Sequence, residues 1–170
     1  DFRYHFPKIT ISAVKSEILR NRFLPVFLYR LVRKMHVAGY DDENKYQIHF
    51  LMKTLCGCEI YWSSKIGEGF HLDHGVGTVI GSECKIGNGF WIQHGCTVMH
   101  KDLGDLGKAP IIGDDVIMYS NSQVLGPIKV GDRTIIAPNS VLVSDTEGNQ
   151  MVLGNPAKIV KELTVRQNTF

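Results

Sequence analysis

The sequence predicts a mainly β protein: a three-sided parallel β-coil preceded by a small α-helical region. Three observations carry this. Between Ile60 and Val143 aliphatic residues recur every six positions, at Ile60, Ile66 and Leu72, then Ile80, Ile86, Ile92 and Val98, then Ile112, Met118, Val124, Val130, Ile136 and Leu142. A second, apolar or small series sits four positions later, at Ser64, Phe70, Val76, Cys84, Phe90, Cys96, Val116, Ser122, Ile128, Thr134 and Ser140. Glycine often follows the aliphatic position, as at Gly67, Gly81, Gly87, Gly113 and Gly131. A period of six matches neither the helix (3.6) nor the plain strand (2). It suits one short strand and one bend per face of a prism, with three hexads to the turn. Turns then stack at about 4.8 Å, both series fill the interior, and each turn supplies the apolar surface its neighbour cannot bury alone.

The elements follow in order. Residues 1–12, with Pro7 and β-branched Ile9, Thr10 and Ile11, read as a loop or short extended piece. Ser12 caps a first helix bearing Val14, Ile18 and Leu19, which Pro25 ends or kinks. Phe27, Leu28, Leu31, Val32 and Met35 form the stripe of a second helix closed by Gly39, its basic residues Arg30, Arg33 and Lys34 forming a solvated face with Arg20 and Arg22. Ile48, Leu51, Met52 and Leu55 place a third helix at roughly 44–55. The domain reading is therefore a helical region over 1–56, the coil over 57–160 and a tail over 161–170.

Composition narrows the function. The chain has 170 residues, 44% of them hydrophobic, enough for one domain with a sizeable core. A net charge of +2 makes no demand for nucleic acid. No apolar run is long enough to span a membrane. No signal-peptide pattern opens the chain. Cys84 and Cys96 fall on the inward series, and Cys56 and Cys58 lack a second pair at zinc spacing, so the thiols read as buried and the compartment as reducing and cytoplasmic, with no metal site.

Two insertions break the count. Leu72 to Ile80 takes eight residues, the extra pair falling near Asp73-His74-Gly75-Val76-Gly77-Thr78; Val98 to Ile112 takes fourteen, adding a loop from Met99 to Ala109. The coil needs neither, and added residues on a rigid scaffold are where sites are grafted. His74 sits at the first insertion beside an acid and between glycines. An imidazole titrates near neutrality and can take a proton from an alcohol attacking a thioester. His94 is two residues after Ile92 as His74 is two after Leu72, so the two stack one turn apart. Backbone N–H groups near Gly75 or Gly95 are candidate donors to an oxyanion. Trp62, Trp91 and Tyr119 fall on outward positions, for ring stacking or a subunit contact.

Over about residues 55–160 the pattern resembles the hexapeptide-repeat acyltransferases, and within them serine acetyltransferase. The resemblance rests on Lys65-Ile66-Gly67, then Leu72-Asp73-His74 with Gly77, and on the closing Gly154-Asn155-Pro156-Ala157-Lys158-Ile159-Val160. It implies a left-handed coil, a homotrimer with active sites between subunits, and transfer of acetyl from acetyl-coenzyme A to a hydroxyl. It implies His74 as general base, Glu59 as the acid paired with it, and Asp73 on a small-molecule or sugar acceptor, with Lys108 in place of one cationic contact; by their own positions, His94 lines the same groove and His100, in the long loop, contacts the acceptor. Coenzyme contacts fall, by the same resemblance, at Gly113, Ser120, Ala137 and the turn Asn155, Pro156, Ala157 and Lys158. The chain departs from the bacterial family in three places. Met99-His100 follow Thr97-Val98 where that family has Gly-Gly, Lys108-Ala109 precede Pro110 where it has Arg-His, and the helical region is short. The first two open a sugar hydroxyl as the rival acceptor, and the third argues against docking to cysteine synthase. The remaining alternative is a coil without catalysis, serving as a binding module or scaffold.

Overall fold

The computed structural model describes residues 1, 4, 10, 23–102, 104 and 107–164. The first helix expected from Ser12, and the end of the tail, lie outside them. Two helices open the described fold, α1 (Leu24–Val37) and α2 (Asp42–Cys56). The strands are β1 (Glu59–Ile60), β2 (Lys65–Ile66), β3 (His71–Leu72), β4 (Val79–Ile80), β5 (Lys85–Ile86), β6 (Trp91–Ile92), β7 (Thr97–Met99), β8 (Ile111–Ile112), β9 (Ile117–Met118), β10 (Gln123–Leu125), β11 (Lys129–Val130), β12 (Ile135–Ile136), β13 (Val141–Leu142), β14 (Gln150–Gly154) and β15 (Ala157–Glu162).

Up to β13 every third strand stacks on one face, and β14 and β15 extend the third face. The faces run β1-β4-β7-β10-β13, β2-β5-β8-β11 and β3-β6-β9-β12-β14-β15. All pairings are parallel except β14 with β15, where the chain turns back on itself at the far end. The inward series pairs directly, Leu72 with Ile92 and Ile92 with Met118, for example. Ile60, Leu72, Ile80, Ile92, Val98, Met118, Val124, Ile136 and Leu142 are all buried. Phe70 and Phe90 stack inside the prism, ring centroids 6.0 Å apart. Where the turns pass closest there is no room for a side chain: a Cβ on Gly87 would stand 2.7 Å from the carbonyl of Gly113.

One member of the second series misses its place. Val76 is exposed, and Thr78 occupies the interior instead. The inserted pair shifts the chain by two, so the residue two before Ile80, not four after Leu72, faces inward. Thr78 Oγ1 donates to the Gln93 carbonyl at 2.8 Å, which satisfies the hydroxyl in that interior position.

The helices cap the open end of the coil. A first turn has no neighbour beneath it, so some of its backbone polar groups would be orphaned. Tyr29 on α1 donates its hydroxyl proton to the Ser64 carbonyl at 2.9 Å and accepts from the Ile66 N–H at 3.1 Å. Arg30 Nη1 donates to the Ile66 carbonyl at 2.6 Å, and Arg33 Nη1 to the Trp62 carbonyl at 2.9 Å. These two arginines are thus coil-capping groups rather than part of a solvated basic face. Pro25 sits in the first turn of α1, where its missing N–H costs nothing; the helix it was expected to end lies outside the described residues. Asp41 caps α2 by accepting from the Asn44 N–H, and Gly57 closes it in the left-handed conformation.

The face of α2 turned to the coil differs from the apolar stripe read in sequence. Lys45, His49, Met52 and Cys56 are buried, while Leu51 and Leu55 are exposed. Trp62, expected to point outward, is buried beneath this helix. Its ring meets Tyr46 edge-on at 5.0 Å and His49 at 5.3 Å, with the Lys45 ammonium 5.8 Å from its centroid. Aromatic and cationic partners reward that face as aliphatic ones would.

Candidate active site

The corner that follows the β3 face builds a column of residues. Extending the pairings of β3, β6, β9, β12 and β14 stacks Asp73, Gln93, Tyr119, Ala137 and Leu153, and beside them His74, His94, Ser120, Pro138 and Gly154. Ladder bonds hold the column: the N–H groups of Asp73, Gln93, Tyr119 and Ala137 donate to the carbonyls of Ile92, Met118, Ile136 and Val152 at 2.8 to 3.0 Å.

At the inserted corner the backbone of His74 takes φ +59° and its side chain is 71% exposed. The left-handed conformation recurs at other coil corners, at Glu83, Asp115, Asn121, Arg133 and Asn139, so it belongs to the turn geometry. Asp73 Oδ2 lies 3.7 Å from His74 Nε2. The His94 ring stands edge-on to that of His74, centroids 6.4 Å apart. His94 Nδ1 is 3.5 Å from Ser120 Oγ, which donates to Gln93 Oε1 at 2.8 Å. The structure thus brings Asp73, His74, His94 and Ser120 together, with Ala137 and the Gly154–Ala157 turn further along the same corner. In that turn Ala157 is buried, while Asn155, Pro156 and Lys158 are exposed.

The other expected residues stand elsewhere. Gly113 belongs to the corner after β8, packed against Asp132 in the column of Gly67 and Gly87. His100, half-buried, and Lys108, exposed, mark the two ends of the long insertion. Glu59 is held by α2: Lys53 Nζ lies 2.9 Å from Oε2 and His49 Nε2 lies 3.6 Å from Oε1. Burial depresses the His49 pKa, against the opposing pull of Glu59. The acid beside the His74 ring within this chain is Asp73. Of the two glycine N–H groups considered as oxyanion donors, that of Gly95 is spent on the Val76 carbonyl at 2.9 Å.

Two features of the site went unread. Gln93 stands one turn from Asp73 in the stack, and the six-residue count alone places it there. The grip of Lys53 and His49 on Glu59 had no such signal, because it depends on how α2 lies on the coil. Among the described residues, no group of three or more His, Cys, Asp or Glu side chains is placed to hold a metal ion. All four cysteines are free and buried, and burial pushes Cys58 and Cys84 up to about 12, so neither is a nucleophile at neutral pH. Among the described residues no helix is long and apolar enough to cross a membrane.

Comparison with known proteins bears on the family and the fold. Residues 109–144 match the family model for the bacterial transferase hexapeptide (six repeats). A serine acetyltransferase of Staphylococcus aureus is 39% identical over 121 residues, covering 68% of this chain and 54% of that protein. Serine acetyltransferase 4 of Arabidopsis thaliana is 39% identical over 144 residues, covering 74% of this chain and 40% of that protein. The chain therefore spans about half the length of the curated relatives it matches. The crystal structure of the Neisseria gonorrhoeae serine acetyltransferase superposes with a TM-score of 0.84 at 28% identity, over 97% of this chain and 62% of that one. The same Neisseria protein has been solved in complex with serine. By sequence, repeat and architecture, the chain is similar to serine acetyltransferases and carries the hexapeptide repeat and left-handed β-helix fold.

Proposed function

We propose that the chain is an acetyl-coenzyme A-dependent O-acetyltransferase of the serine acetyltransferase type. The observation that carries this is His74, exposed at a two-residue insertion, with Asp73 at 3.7 Å and His94 and Ser120 continuing the groove. The likeness to serine acetyltransferases supplies the reaction class.

In this reading His74 accepts the proton of the acceptor hydroxyl, and the Asp73 carboxylate orients the ring or the acceptor. Glu59 joins the base as its paired acid only by turning from Lys53. The corner column past Ser120 to the Gly154–Ala157 turn offers a narrow, small-residue track for a pantetheine arm, and exposed Lys158 suits a phosphate near its end. His100 and Lys108, on the insertion, serve the acceptor. The groove closes against a second subunit of a homotrimer, which explains why the corner is so open in one chain.

A mixed acceptor assay tests the reading. With labelled acetyl-coenzyme A, label should pass to serine. Label passing only to sugars would replace serine by the acceptor that Met99-His100 and Lys108-Ala109 leave open, and no transfer to any hydroxyl would overturn the proposal.

A further inference from the structure

The transfer requires a donor for the negative charge that develops on the acyl oxygen, and the Gly95 N–H is already used. We propose that the side-chain amide of Gln93 supplies it, an assignment that rests on the acetyltransferase reading above. Ser120 sets the orientation of this amide. Its backbone N–H lies 3.1 Å and its hydroxyl 2.8 Å from Gln93 Oε1. A backbone N–H can only donate, so the atom facing it must be the oxygen, and chemistry rather than choice assigns the amide. Both bonds fall on Oε1, which leaves the amino group turned from Ser120; among the described residues Nε2 meets no acceptor.

The rest of the residue is equally held. The Gln93 carbonyl accepts from Thr78 Oγ1 at 2.8 Å, and its N–H donates to the Met118 carbonyl at 3.0 Å. A half-buried amide fixed at backbone and oxygen, with two donor protons unspent, is preorganised for an incoming acceptor. It stands in the column directly above Asp73, beside His94, whose ring faces that of His74 at 6.4 Å.

The acceptor oxygen bonds to the thioester carbonyl carbon while its proton passes to His74, and the carbonyl pair moves onto the acyl oxygen, where Gln93 Nε2 donates. Collapse restores the carbonyl and breaks the carbon–sulfur bond, and the sulfur leaves with the proton that His74 returns. Only the oxyanion calls on Gln93 at full strength, so its removal strikes kcat more than coenzyme binding.

Gln93→Glu separates this role from a structural one, because a carboxylate still accepts both Ser120 bonds but offers no donor. Gln93→Leu removes both functions without adding charge. Expected is a fall in kcat of about 10²–10³-fold in each, with the Kd for coenzyme A, which has no acyl oxygen, little changed in Gln93→Glu. If Gln93→Glu keeps the wild-type kcat while Gln93→Leu loses it, accepting from Ser120 is the whole role and the proposal fails. If neither variant loses activity, it fails as well. A wild-type protein that transfers acetyl to no hydroxyl overturns the acetyltransferase reading and this inference together; wild-type transfer with an intact Gln93→Glu overturns this inference alone.

Discussion

At the corner after β3, His74 takes the left-handed backbone angle, φ +59°, that the coil uses at other corners too. The cost, on the order of 1 kcal/mol, is tolerated because the ladder bonds on either side over-determine the turn. His74→Asn keeps a residue at ease in that conformation and deletes the base, so it should preserve the far-ultraviolet spectrum and Tm while lowering kcat/KM by roughly 10²–10⁴-fold. Retained activity would remove His74 from the mechanism. His49 makes a second prediction. It lies on the coil-facing side of α2, close to Glu59 and packed against Tyr61 and Trp62, and burial holds its pKa below the ordinary value of 6.5. The unfolded chain then binds the proton more readily than the folded one. The stability it contributes is full above about pH 6.5 and is lost as pH falls toward the depressed folded value. Tm measured from pH 7.5 down to 5 should drop for wild type and less for His49→Phe; parallel curves would show that this imidazole does not govern acid stability.

At the scale of elements, α1 is a lid on the first turn of the coil. Tyr29 is fully buried and bonds both the Ser64 carbonyl and the Ile66 N–H. Tyr29→Phe leaves those groups unsatisfied with almost no change in volume. We expect a loss of about 1–3 kcal/mol, read as a lower midpoint in urea unfolding with an unchanged slope. An unaltered midpoint would mean that water replaces the hydroxyl without penalty. Within the coil, Phe90 is fully buried and stacked on Phe70. Phe90→Ala should cost about 3–5 kcal/mol, because rigid turns above and below cannot collapse into the void.

For the whole molecule, the open corner at His74 and Val76 and the exposed Phe50, Leu51 and Leu55 of α2 leave apolar surface and the candidate site uncovered in a single chain. A trimer would close the corner groove. Sedimentation should therefore give a particle near three times the 19.1 kDa chain mass, and a monomer that turns over would place the whole site within one subunit.

How much of this was legible follows from what each pattern encodes. A six-residue count is a statement about one chain folding on its own axis, so Ile60 to Leu142, the three faces, the stack of His74 on His94 and the two insertions could all be counted from the sequence. Capping and docking are statements about distant surfaces meeting. Arg30 and Arg33 read as solvated until α1 placed them on the carbonyls of Ile66 and Trp62. Thr78 replaced Val76 inside because an inserted pair moves the inward phase. Glu59 found Lys53 and His49, and Gln93 found Ser120, only once side chains had directions. The periodic part was determined by the sequence, since every turn repeats one local rule; the partners of each polar group were decided by the tertiary structure, because a hydrogen bond depends on ångströms and angles that spacing along a chain does not carry.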